Sequence, residues 1–344
     1  MYLKLDLLQP SGSFKDRGMA HLCTTVQKMH NSASNGKMTS KIKVISSSGG
    51  NAGLAVTTVA RNMPQMDVSV VVPETTKPIV VEKLRSLGAE VTIHGKNWNA
   101  ADELARKWVD DAKKSGEGAF YISPYDNPLL WTGHSTVIDE IITQLLEQNR
   151  ESGQKKIGAV IASVGGGGLL CGILEGIERN YHSLNEIRSK MVRGSKVVAC
   201  ETDGAASFAA SFNSSDGSII RLDSINSIAS SLGALQVTPA VIQRCRRHRD
   251  RGEISSSGED VISYVCTDEE AVQGCVQFSS DHRMLVEPAC GASLAPLYSD
   301  RLRTKLLDKL KDDESSVIVV EVCGGSGVDL DLLIEWKETF KDKK

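Results

Sequence analysis

SVGGGGLLCG (residues 163–172) joins two kinds of sequence. Upstream, Ala159–Ala162 is a short apolar run of strand length. Downstream, Leu169–Asn180 carries apolar residues at helical spacing. The same unit of strand, glycine cluster and helix recurs in SSSGGNAG (46–53), after Lys43–Ser46, and in VCGGSGVDL (322–330), after Val317–Val322. Val68–Val72, Val91–His94 and Lys196–Cys200 are further strand-like runs, and Val80–Leu87, Ala100–Lys113 and Ser135–Asn149 further helical ones. Strands alternating with helices predict parallel sheets covered on both faces, the α/β class. Loops are predicted at Ser32–Lys41, Tyr125–Trp131 and Phe212–Ser218.

At 344 residues the chain has room for two domains or subdomains. Its composition, 40% hydrophobic and 24% charged with a net charge of −3, is that of a globular protein and offers no electrostatic argument for nucleic acid or an anionic membrane. The basic cluster Arg244, Arg246, Arg247, Arg249 and Arg251 lacks interleaved aromatics and reads as a solvated helix end. Eight scattered cysteines without a C-x-x-C pair fit neither a disulfide scaffold nor a structural zinc site, and suggest reduced thiols of an intracellular protein. No apolar run is long enough to span a bilayer. The start, MYLKLDLLQP, is neither a signal nor a transit peptide, and Tyr2–Leu5 reads as a strand.

In open parallel sheets, ligands bind beyond the carboxyl ends of the strands, where these glycine clusters fall. Four consecutive glycines, Gly165, Gly166, Gly167 and Gly168, let backbone amides converge on an anion without Cβ atoms in the way. No G-K-[ST] follows, and the spacing of a dinucleotide fingerprint is absent, so a small monophosphate fits better than a nucleotide. In SGSFKDRG (11–18), Lys15 follows Phe14 in a glycine- and serine-rich turn. A monophosphate site together with a reactive lysine suggests pyridoxal phosphate, whose aldehyde bonds to a lysine amine.

QPSGSFKDRG, SSGGNAG, SVGGGGLLCG, LVEPACGA and VCGGS, in that order through nearly the whole chain, resemble the serine/threonine dehydratases of the tryptophan synthase β-like group (pyridoxal-phosphate fold type II), the eukaryotic L-serine dehydratase/L-threonine deaminase type in particular. The resemblance implies two three-layer α/β/α subdomains with mainly parallel sheets: a large cofactor-binding one of residues 1–17 and 128–344, and a small substrate-side one of residues 18–127. It implies β-elimination of water from L-serine, and in the same group L-threonine, giving pyruvate or 2-oxobutyrate and ammonia. Lys15 would be the Schiff-base lysine and the base for the Cα proton. Phe14 would pack on the pyridine ring, and Asn51 would bond its 3′ oxygen. Gly165 to Gly168 with Leu169 would hold the phosphate, and Cys323 would face the pyridine nitrogen. Ser48, Gly49, Gly50, Asn51 and Ala52 would take the substrate. A monovalent cation, usually potassium, would sit among Gly165, Glu201, Ala205, Leu232 and Ala234. A cytoplasmic homodimer is also implied. Liver enzymes of this type carry Ala where Gly49 stands, so Gly49→Ala is expected to raise turnover of serine. Threonine synthase and serine racemase share the scaffold and are the alternative activities. The family usually has a helix and strand ahead of Tyr2–Leu5, so the resemblance also implies a shortened, weakly active or inactive homologue, or a mitochondrial form if the segment exists.

Overall fold

The computed structural model describes residues 1–33, 41–148, 155–249, 260–310 and 316–341. Nine strands occur among them: β1 Tyr2–Leu5, β2 Ile42–Ser46, β3 Met66–Val72, β4 Glu90–Ile93, β5 Ala119–Ile122, β6 Lys156–Ser163, β7 Lys196–Thr202, β8 Val261–Cys266 and β9 Ser316–Val322. They divide between two compact units. The first unit comprises Met1–Leu8 and His134–Lys344, and the second comprises Gln9–Gly133.

The first unit holds a five-stranded sheet of order β1-β9-β6-β7-β8, parallel at each junction. Leaving β6, the chain builds outward through β7 and β8, then returns on the other side of β6 as β9. That reversal opens a crevice between the carboxyl ends of β6 and β9, the place where parallel sheets bind ligands. The helix Pro288–Tyr298, all but sealed from solvent, packs on β6, β7 and β9, where Ser293 Oγ donates to Glu321 O at 3.2 Å. Its small residues allow the approach: a Cβ on Gly291 would fall 2.1 Å from Ala271 O in the neighbouring helix Asp268–His282.

The second unit holds a four-stranded parallel sheet of order β4-β3-β2-β5. Alternation along β3 covers both faces. Val71 packs with Ile45 against Ala101, Ala105 and Val109 of the helix Trp98–Lys114, whereas Val70 faces Gly53 of the helix Asn51–Ala60. Adjacent strand residues point to opposite faces, so these helices form the outer layers of an α/β/α sandwich. The reversal here lies between β2 and β5.

The α/β class and every strand expected from the sequence are present. Two strands are additional, β5 (AFYI) and β8 (VISYVC). Apolar runs this short are indistinguishable from helix segments until a neighbour pairs with them. The loop expected at Tyr125–Trp131 is shorter, because a helix runs from Pro128 to Gln148. Asn127 Oδ1 accepts from Leu129 N at 2.9 Å, and Leu130 and Trp131 are buried. Pro128 suits the first helical turn, where its missing N–H costs nothing. In the basic cluster, Arg244 is not simply solvated: it pairs with Glu175 at 3.0 Å. Arg251 and most of Ser32–Lys41 lie outside the described residues.

Candidate active site

At the crevice of the first unit, β6 ends at Ser163 and the glycine run follows. Gly167, at φ +91°, caps the helix Gly168–Tyr181, a conformation that disfavours any residue with a Cβ. A Cβ on Gly165 would come within 3.2 Å of Leu232 Cα and Ser231 O. Thr238 N donates to Gly166 O at 3.0 Å and fixes the turn from behind. The first N–H groups of the helix, those of Gly168 and Leu169 among them, have no intrahelical acceptor, and the helix dipole adds partial positive charge. The result is a glycine-lined turn whose backbone amides can receive an anion.

Beside it β9 ends at Val322, and Cys323 follows, buried. A hydrogen bond with Cys290 and burial, with the charge of Glu287 adding, hold the Cys323 thiol well above its ordinary range, so it is neutral. The buried Ser163 hydroxyl hydrogen-bonds the same thiol and pulls weakly the other way. A neutral thiol and a hydroxyl beside a set of free-facing helix amides fit a ring nitrogen and phosphate of pyridoxal phosphate. Gly324 and Gly325 both have positive φ, and a Cβ on Gly325 would fall 2.0 Å from Glu287 Cδ. Glu287 Oε2 accepts from Gly327 N at 3.1 Å, which clamps the turn after Cys323. The reading of LVEPACGA as a family motif assigned no role to this buried acid. Its signal is a carboxylate set among apolar residues, immediately before a helix-starting proline.

Among the residues proposed for a cation, Gly165 packs directly on the Leu232 backbone. Leu232 O accepts from Ala234 N at 2.7 Å. Glu201, on β7, accepts from Phe208 N at 2.7 Å and Ala209 N at 2.8 Å. Burial pushes its pKa up to about 8 against these two bonds. Ala205 is buried in the short turn Asp203–Ala205 that follows β7. Among the described residues there is no group of three or more His, Cys, Asp or Glu side chains able to hold a metal.

At the reversal of the second unit, the loop after β2 carries Ser48, Gly49 and Gly50, and Asn51 opens the helix Asn51–Ala60. The helix cap is Gly50 rather than Asn51. Gly50 N donates to Ser48 Oγ at 3.3 Å, and Ala52 is buried beneath the loop. Lys15 begins the helix Lys15–Ala33. Its Nζ donates to Pro124 O at 2.8 Å, in the loop after β5, and lies 4.9 Å from the Phe14 ring centre. Asp16 Oδ2 accepts from Ser11 N at 2.7 Å and closes the turn, in which Gly12 takes φ +85°. Lys15 is therefore held at the carboxyl end of β5, next in the sheet to the strand that carries SSGGNAG. A separate cavity of about 790 Å³ lies toward the amino ends of β2, β3 and β4, lined by Lys43, Met66 and Glu90. It is at the opposite end of the strands from these loops.

A family model described as pyridoxal-phosphate dependent enzyme matches residues 1–324. The chain belongs to that family. Within it, the chain is similar to an L-serine dehydratase of Saccharomyces cerevisiae (strain AWRI1631), 37% identical over 94% of this chain and 88% of the relative. It is equally similar to an L-serine dehydratase/L-threonine deaminase of Bos taurus, 37% identical over 98% and 89% of the two chains. The crystal structure of a fungal L-serine ammonia-lyase from Rhizomucor miehei superposes with a TM-score of 0.76 at 29% identity, covering 98% of this chain and 92% of that one. The fold is that of the fold-type II enzymes, as the motifs implied.

Proposed function

We propose that this protein is a pyridoxal-phosphate dependent lyase that deaminates L-serine, and L-threonine as a second substrate, to the 2-oxo acid and ammonia. The observation that carries this reading is the glycine-lined amide cradle beside the neutral Cys323 thiol at adjacent strand ends. The 37% identity to two serine-deaminating relatives supports the choice of substrate.

Each residue has a defined task in this reading. Gly165 to Gly168 and Leu169 hold the cofactor phosphate by backbone N–H groups. Lys15 would hold the cofactor through its Nζ, and the same amine, when free, would take the Cα proton of the substrate. Phe14 packs on the ring, and Asn51 bonds its 3′ oxygen. Ser48, Gly49, Gly50, Asn51 and Ala52 grip the substrate carboxylate and so orient the Cα–H bond. Cys323, being neutral, donates no full charge to the ring nitrogen, which disfavours transamination. When bound, the cofactor supplies an electron sink for the pair left at Cα. A monovalent cation among Gly165, Glu201, Ala205, Leu232 and Ala234, a homodimer and a cytoplasmic location complete the proposal, on the strength of the family resemblance.

Purified protein loaded with pyridoxal phosphate should release pyruvate from L-serine and 2-oxobutyrate from L-threonine. Lys15→Arg should abolish the visible absorbance of the lysine-bound cofactor and lower turnover by at least ~100-fold, the usual weight of a general base. Formation of D-serine or consumption of phosphohomoserine instead would replace this activity with that of a racemase or a threonine synthase.

A further inference from the structure

Ser47 is the first residue after β2 and immediately precedes the proposed substrate loop. It is fully buried, and its Oγ donates to Asp102 Oδ1 at 2.7 Å. Tyr121 OH donates to the same oxygen and stands 3.2 Å from Ser47 Oγ. Asp102 Oδ2 accepts from Arg106 Nε at 2.7 Å, and the Arg106 guanidinium lies 4.1 Å from the centre of the Tyr121 ring. One carboxylate therefore ties the loop after β2 to β5 and to the helix Trp98–Lys114. Burial disfavours its charge, but the bonds from Tyr121, Arg106 and Ser47 outweigh that effect and hold its pKa below the ordinary carboxylate range.

The sheet register makes this junction local to the substrate loop. Ile45 pairs with Tyr121 across β2 and β5, so the tyrosine stands beside the last turn of β2. The loop's other end is fixed by Gly53, where a Cβ would fall 1.8 Å from Ser48 O. Ser48, Gly49 and Gly50 thus run between two anchors, one of backbone packing and one of hydrogen bonds to a buried charge. A glycine-rich loop has little conformational preference of its own, so the anchors set its geometry.

We infer that Asp102 is a positioning residue for the substrate, fixing through Ser47 the backbone of Ser48–Ala52 that grips the substrate carboxylate. The inference rests on the reading of that loop as the substrate cradle. Neither Asp102 nor Tyr121 touches substrate or cofactor in this assignment; both act through Ser47.

Steady-state kinetics of the holoenzyme with L-serine test it. Asp102→Ala should raise KM about tenfold, the equivalent of one buried hydrogen bond lost from the loop, with the lysine-bound absorbance unchanged. Asp102→Asn, whose amide oxygen still accepts from Ser47 and Tyr121, should restore most of that KM. An altered melting temperature with KM unchanged in Asp102→Ala would mean a purely structural residue and overturn the inference. Should Asp102→Ala fail to fold, Tyr121→Phe removes one hydroxyl and should raise KM about threefold; an unchanged KM there overturns it equally. If the wild-type protein does not turn over serine, the functional reading fails, and amide hydrogen exchange of Ser47–Gly53 in the full chain decides the positioning role alone. Faster exchange in the variant than in wild type supports it, and equal exchange removes it.

Discussion

A methyl group on Gly49 would lie 3.0 Å from Thr76 Cγ2, 3.2 Å from Val72 Cγ1 and 3.3 Å from Thr76 Oγ1. These obstacles are side-chain ends, able to yield by a few tenths of an ångström. Gly49→Ala should therefore cost about 1 kcal/mol of stability by overpacking, and Thr76→Ser, which deletes the nearest methyl, should recover part of it. The two substitutions share a contact, so their effects should not add, and a double-mutant cycle on urea midpoints measures the coupling. The gain in serine turnover expected of Gly49→Ala is best read in the double variant, where the new methyl no longer presses on Thr76 Cγ2. Lys15 shows the same dependence on neighbours. Its sequence context is compatible with a solvated surface charge, whereas its bond to Pro124 O fixes the amine at a strand end.

At the scale of elements, the residues proposed for the chemistry sit where strands stop and glycine turns begin. Two glycines of the SSGGNAG loop are held by different constraints. A Cβ on Gly53 would meet backbone, Ser48 O at 1.8 Å, and no rotamer relieves it, whereas the nearest neighbour of a Cβ on Gly50 is Ser48 Oγ at 3.9 Å. Gly53→Ala should destabilise the fold by about 3 kcal/mol, and Gly50→Ala by less than about 1 kcal/mol, the cost of a poorer helix cap. Urea unfolding with an unchanged m-value checks both, and equal midpoints for the two variants would contradict this account of the loop. The turn after β9 is constrained comparably, by Glu287 pressed against Gly325 and bonded to Gly327.

Across the whole molecule, all eight cysteines are free and buried. Burial raises the pKa of Cys23, Cys245 and Cys266 from an ordinary 9.0 to about 12. The unfolded chain releases these protons from about pH 9, while the folded chain keeps them until about pH 12, so the unfolded state binds fewer protons in that window. Stability is undiminished below about pH 9 and falls as pH rises toward 12, by about 1.4 kcal/mol per pH unit for each thiol. The melting temperature should fall across that range, and Cys245→Ala should flatten the slope whatever it does to the value at neutral pH. The α/β class, the positions of most strands along the chain and the glycine turns were legible in the sequence because each depends on a few consecutive residues: β-branched runs, helical spacing, and backbone that only glycine allows. Lys15 and Cys323 were singled out through the order of motifs that resemble a known family, since neither residue's local context distinguishes it from a surface lysine or a buried thiol. The short strands β5 and β8 were not legible, since four to six apolar residues carry no period of their own. Nor were Asp102, Tyr121 and Glu287, whose significance lies in what they touch. Sequence by itself determined the units of strand, turn and helix, and the residue types at their junctions. Tertiary structure alone decided that β9 lies beside β6 and β5 beside β2, because strand pairing and the compensation of a buried charge depend on groups far apart in the chain.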